Sequence, residues 1–189
     1  MSALPEPRLY DFAERLAFSR TATTETPDEL LRRAFVGVVS VDVADIALDK
    51  SGVDFVVTLR RGGTIGVDLK AREEGCSRYW NDGPELALET WSVCPSATSA
   101  GKAGWTLDEA KATDYTMHTF HSSDSMEAYV LPFQQLRTAF SRNVAEWSRR
   151  YRVARQSSGR WQSECVFVPA RVVVDELNRA AVIDCGVAR

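Results

Sequence analysis

The chain has 189 residues, 44% hydrophobic and 26% charged, which suits one globular domain with a sizeable core. Its formal net charge of −3 argues against a protein that coats nucleic acid through overall positive charge, and no run of eighteen apolar residues marks a membrane span. The opening Met-Ser-Ala-Leu-Pro-Glu-Pro lacks a signal pattern, so a soluble, cytoplasmic protein with no membrane partner is expected. Cys76, Cys94, Cys165 and Cys185 are widely spaced, form no C-x-x-C pair, and read as reduced thiols.

Residues 9–18 place Leu9, Phe12, Ala13, Leu16 and Ala17 at helical spacing, opposite Asp11, Glu14 and Arg15. Thr26-Pro27-Asp28-Glu29 then supplies an N-cap, a proline for the first helical position and a glutamate three residues past the cap. Leu30, Leu31, Ala34 and Phe35 give that second helix its apolar side. Residues 36–48 turn rich in valine and isoleucine and read as a first strand, closed by the turn residues Asp49-Lys50-Ser51-Gly52.

Residues 52–71 read as a β-hairpin, because two apolar runs of period two flank Gly62-Gly63. Phe55, Val57 and Leu59 share one face, as do Ile65, Val67 and Leu69; Asp54, Asp68 and Lys70 fall on the other. Register decides whether the acids meet, since a slip of one residue exchanges the faces. A three-residue loop at 60–62 or 61–63 sets Asp54 beside Asp68 or Lys70, whereas a two-residue loop needs a bulge. Two acids within about 5 Å raise one pKa unless a divalent cation lies between them. A hard cation such as Mg²⁺ takes one or two carboxylates together with waters and phosphate oxygens. An adjacent lysine orients or activates water, or neutralises charge growing on a phosphate. On spacing alone, a phosphodiester-hydrolysis site and a surface hairpin with a charged wet face stand level.

Asp54, the short hairpin and Asp68-Leu69-Lys70 resemble the PD-(D/E)XK nuclease superfamily, in which an acid at a strand start is followed by (Asp/Glu)-x-Lys on the next strand. Val53 stands where that pattern often has proline. The resemblance spans roughly 10–151 and implies a restriction-endonuclease-like α/β fold, a mixed central sheet flanked by helices. It also implies Mg²⁺ or Mn²⁺ as cofactor, held by Asp54, Asp68 and the Leu69 backbone carbonyl, with Lys70 as the catalytic cation. Many relatives carry a glutamate near the metals on an N-terminal helix; Glu14 is the auxiliary match, or an ordinary surface glutamate.

Beyond the hairpin, residues 72–83 read as a polar loop in which Arg78, Tyr79 and Trp80 either grip a nucleotide or cover the loop. Residues 85–92 alternate again, with Leu86 and Leu88 together; if these continue the core face, Glu89 joins the site as a third, catalytic acid. Glu89, Trp91-Ser92, Gly104-Trp105 and the run from Lys111 to Tyr115 also resemble a group of phage and bacterial nuclease-like proteins of the superfamily. Residues 95–104 read as a loop, 106–112 as a short helical turn and 114–120 as a strand. Lys111 and Asp114 are candidates for substrate contact or for structural ion pairs. His118 and His121, the two histidines, make a poor metal pair without acids or cysteines at matching spacing.

A short strand at 127–132 is followed by Phe133, Leu136, Phe140, Val144, Trp147 and Tyr151 at helical spacing, a core stripe. Between Arg137 and Arg160 seven arginines accompany one acid, Glu146, a local balance of +6. That patch is either a phosphate-binding surface, with Arg142, Arg149 and Arg150 joining Arg78 as nucleic-acid contacts, or a solvated face. Residues 164–168 and 172–174 read as a terminal strand pair.

The organisation expected is a single domain, 1–189, with a motif core at 36–132, a basic helical segment at 133–155 and a C-terminal strand pair at 163–185. The activity expected is Mg²⁺-dependent hydrolysis of DNA by an endonuclease, structure-specific or junction-directed, and no residue separates DNA from RNA. The alternative is a non-catalytic nucleic-acid- or partner-binding protein of the same fold, phage-encoded and at work in the host cytoplasm. Superfamily members that cut two strands commonly pair their sites, so the analogy extends to a homodimer.

Overall fold

The computed structural model describes residues 27–72, 75–121, 126–157 and 161–181. The expected helix at 9–18, with Glu14, lies outside the described residues, as does Arg160. In chain order come α1 (Pro27–Ala34), β1 (Val38–Val43), α2 (Ile46–Lys50), β2 (Phe55–Leu59), β3 (Thr64–Arg72), a 3₁₀ turn (Cys76–Tyr79) and β4 (Glu85–Val93). There follow β5 (Lys102–Ala103), β6 (Tyr115–His121), β7 (Met126–Pro132), α3 (Phe133–Arg150), β8 (Arg152–Ser157), β9 (Gln162–Pro169) and α4 (Ala170–Ala181).

These elements make a mixed α/β fold with two sheets. The larger has the order β1-β2-β3-β6-β7, antiparallel except where β6 runs parallel to β3. The smaller, β5-β4-β9-β8, is antiparallel throughout. One face of the larger sheet buries Phe55, Val57, Val67, Leu69 and Met117 against Leu31 of α1, which is fully inaccessible. A second core joins Phe120 and Leu131 at the far end of that sheet to Leu86, Leu88, Val166 and Val168 of the smaller one. Leu136, Phe140 and Trp147 of α3 close this core from outside, as their helical spacing predicts.

Five boundaries differ from the sequence reading, one of them because β5 falls inside the loop expected at 95–104. The strand expected to reach residue 48 stops at Val43, because the Asp45 side chain accepts from the Ala47 and Leu48 N–H groups, both at 2.9 Å, and caps α2. Residues 106–112 form turns without a helix. The basic helical segment ends at Arg150, not 155; Tyr151 is extended, and β8 pairs with β9, where Arg155 meets Glu164 at 2.8 Å. The terminal strand pair is a strand followed by a helix: Val172, Val173 and Val174 suggest a strand, but Ala170, Val173 and Leu177 recur at helical spacing and pack on the second core. Among the described residues no helix is long and apolar enough to cross a membrane.

Candidate active site

The hairpin settles its register with a three-residue loop. Thr58 pairs with Thr64 and Phe55 with Val67, while the Leu59 N–H donates to the Gly63 carbonyl at 3.1 Å, leaving 60–62 as the loop. One step further along this register Asp54 faces Asp68. β2 begins at Phe55, so the next N–H of β3 finds no strand backbone opposite it; the Leu69 N–H donates instead to Asp54 Oδ2 at 2.6 Å. A strand residue projects its N–H and C=O to the same edge. The Leu69 carbonyl therefore faces the edge occupied by the Asp54 carboxylate.

Asp68 is only 2% exposed, yet its charge is fully engaged. Lys70 lies 2.6 Å from Oδ1 and Lys111 2.7 Å from Oδ2. Strand alternation puts Lys70 beside Asp68, whereas Lys111 arrives from the segment leading into β6. The parallel pairing of β3 with β6 sets Tyr115 beside Val67, and the Gly66 N–H donates to Asp114 Oδ2 at 2.8 Å. Both ammonium groups lie over the Trp105 ring, Lys70 at 5.0 Å and Lys111 at 5.8 Å from its centroid.

The two carboxyls titrate in opposite directions. Burial, then the neighbouring Asp68 charge, pushes Asp54 up to about 6 against the opposing pull of the Leu69 N–H and Lys70. Burial also works to raise Asp68, but Lys70 and Lys111 together outweigh it and hold that carboxyl below its ordinary value. The pair tolerates one negative charge well and the second poorly, which is the condition a divalent cation relieves. Asp54, Asp68 and the Leu69 carbonyl thus form a donor set that fits Mg²⁺ or Mn²⁺ in chemistry and charge.

Glu89 has a different place. It lies on β4 of the smaller sheet, where its carboxylate accepts from the Trp105 N–H at 2.9 Å and the Ser92 hydroxyl at 2.7 Å. Gly104 makes this contact feasible, since a Cβ there would sit 2.2 Å from the Glu89 carbonyl oxygen. Glu89 therefore fixes the residue that covers the two lysines. It does not join Asp54 and Asp68 in a cluster: among the described residues no three His, Cys, Asp or Glu side chains are grouped to share an ion.

His118 stands beside Lys70 on β6, 1% exposed, with its ring 5.9 Å from Trp105. Complete burial, then the Lys70 charge, lowers its pKa to about 3, so the ring is neutral. Its Nε2 and the Thr116 Oγ1 have no hydrogen-bond partner in the protein. Arg78 is exposed with its guanidinium 4.7 Å from the Tyr79 ring, while Trp80 packs edge-on against Phe120 as cover. Arg142, Arg149 and Arg150 are exposed on α3. A cleft of about 350 Å³ lined by Gln134, Gln135, Thr138, Ala139, Arg142 and Glu176 shares no residue with the acid pair and holds no comparable reacting set.

Asp54, Asp68 and Lys70 thus meet through the loop at 60–62, one of the registers that the sequence left open. The sequence reading offered Lys111 for substrate contact or an ion pair but did not name Asp68 as its partner, and it missed that Trp105 roofs both lysines. Their signal was the parallel return of β6 beside β3, a matter of topology that no local motif carries. No protein-family model, curated protein or solved structure matches the chain.

Proposed function

We propose that the protein is a Mg²⁺-dependent nuclease of PD-(D/E)XK type acting on DNA in the cytoplasm, with Asp54, Asp68 and Lys70 as its reacting set. The observation that carries the reading is the meeting of buried Asp68 and half-buried Asp54, carboxyls of opposed titration, across the β2–β3 register, with Lys70 ion-paired to Asp68. A divalent ion held by Asp54, Asp68 and the Leu69 carbonyl would supply charge neutralisation at the phosphate and a more acidic water.

The protein's own groups do the rest. Lys70 presents its ammonium beside the Trp105 ring, where partial shielding from water strengthens its attraction for the charge that develops on a phosphate oxygen during in-line attack. It orients the attacking water by donating to it, and Glu89 holds the Trp105 backbone that keeps this wall in position. Arg142, Arg149 and Arg150 offer positive charge for the flanking phosphates. Function as a homodimer remains part of the analogy for duplex or junction substrates.

A second reading, a non-catalytic nucleic-acid- or partner-binding protein, draws on the full pairing of Asp68 with two lysines. Cleavage of a labelled panel of single strand, duplex, fork, four-way junction and RNA in Mg²⁺ or Mn²⁺, beside EDTA and Lys70→Ala, separates the two. The nuclease cuts at least one substrate, and loses that cut with EDTA and with Lys70→Ala. Binding without cutting in every lane would give the second reading its place.

A further inference from the structure

We propose that Lys111 is a substrate-binding residue that couples cation binding to phosphate binding, occupying Asp68 until a phosphodiester of the substrate strand takes its ammonium. The proposal deepens the nuclease reading and rests on it for the identity of the substrate.

Both oxygens of Asp68 hold an ammonium group, at 2.6 and 2.7 Å. Each oxygen keeps a lone pair for a cation, but a divalent ion there would stand beside two ammonium charges, and that repulsion falls when one lysine gives way. Lys70 is two residues along the same strand and remains beside Asp68 whatever binds. Lys111 comes from a separate segment, tethered just after it by the Ala112 N–H to the Ser51 carbonyl at 3.0 Å and by the Thr113 hydroxyl to the Gly52 carbonyl. It can leave without moving β3.

The approach of Lys111 is built into the backbone. A Cβ on Gly52 would lie 2.6 Å from Lys111 Nζ and 2.9 Å from its Cε, so the lysine runs closely over a residue whose φ of +90° favours glycine. Solvent reaches the lysines more than the acid: the Lys111 side chain is 14% exposed and that of Lys70 28%, against 3% for Asp68. An incoming anion meets the ammonium groups before it meets the acid. A phosphodiester carries one negative charge and two non-bridging oxygens, and so replaces the carboxylate as the partner of Lys111 while leaving Asp68 for the cation. Such coupling is reciprocal: phosphate tightens the cation by the same factor as the cation tightens phosphate.

Calorimetric titration of Mg²⁺ tests this on wild type, Lys111→Met and Lys111→Gln, each with and without a phosphorothioate oligothymidylate that resists cleavage. Lys111→Gln keeps a donor to Asp68 but no charge, and melting curves verify that each variant is folded. For the wild type the oligonucleotide tightens Mg²⁺ by roughly tenfold. Both variants bind Mg²⁺ alone about tenfold more tightly than wild type and lose the effect of the oligonucleotide. Folded variants with wild-type Mg²⁺ affinity and undiminished coupling overturn the proposal. That result beside a wild type that cuts and a Lys70→Ala protein that does not would leave the nuclease intact. Tightened Mg²⁺ binding in variants of a protein that cuts nothing would uphold Lys111 and remove the nuclease.

Discussion

Phe55, Val57, Val67, Leu69 and Met117 on one face of the five-stranded sheet pack against Leu31, while Asp68, Thr116 and His118 on the other face are equally inaccessible, at 2%, 0% and 1% exposure. The same strands carry both faces, and alternation alone separates them. Burial of the first set is favourable by roughly 25 cal/mol for each Å² of apolar surface removed from water. Burial of the second is costly unless every polar atom finds a partner. Asp68 finds two ammonium groups; Thr116 Oγ1 and His118 Nε2 find none in the protein. One face therefore holds the fold together, and the other keeps charges and lone pairs where stability alone would not put them.

Substitutions on the two faces should separate these contributions. Asp68→Ala removes the buried acid and should lower cleavage by roughly 10³-fold, while circular dichroism still reports the folded spectrum. Gel assays with Mg²⁺ read the loss, and a variant that cuts at the wild-type rate would remove Asp68 from the site. Leu31→Ala on the apolar side should do the reverse, costing about 3 kcal/mol in urea unfolding with the cleavage rate per folded molecule unchanged.

Asp54→Asn gives a finer test because the sign depends on pH. A carboxyl whose folded value lies near 6, above an unfolded value of about 4, favours the protonated form in the folded state. Its stabilising contribution is present below about pH 4 and is lost as pH rises through about 6. Asparagine mimics the protonated form at every pH, so at pH 7 Asp54→Asn should be more stable than wild type by about 1–3 kcal/mol. Below pH 4 that gain should vanish. Urea midpoints at pH 7 and 3.5 check it; equal gains at both would mean the effect is not the charge of Asp54. The same variant should lose cleavage, since a ligand for the cation is gone.

The sequence disclosed what is local in this arrangement. Asp54, Asp68 and Lys70 were legible because they sit on one hairpin whose loop length fixes the register, and α3 because its core stripe repeats over five turns. What lay beyond reach came from pairing at a distance. Nothing near Lys111 announces that it ends 2.7 Å from Asp68, forty-three residues away, because that depends on β6 returning parallel to β3. Glu89 alternates as a site residue should, yet its strand belongs to the other sheet. The run Val172-Val173-Val174 shows a similar override, since its β-branched residues favour a strand in isolation and a helix is what packs against the second core.

The smallest expected effect tests the comparison at single-atom level, with two threonines of the polar region that differ in their partners. Thr113 is 2% exposed and its hydroxyl donates to the Gly52 carbonyl, beside the path of Lys111. Thr116 is wholly buried, and its hydroxyl has no partner in the protein. Valine has nearly the shape of threonine without the hydroxyl, so each change isolates one oxygen. Thr113→Val should destabilise by about 1–2 kcal/mol, because it removes the donor to the part-buried Gly52 carbonyl. Thr116→Val should stabilise by about 1 kcal/mol, because it removes an oxygen whose desolvation nothing offsets. Urea unfolding of both variants at pH 7 reads the difference. A loss of stability in Thr116→Val comparable to that in Thr113→Val would mean that a bound water completes the Thr116 hydroxyl, and that the polar face is as well satisfied as the apolar one.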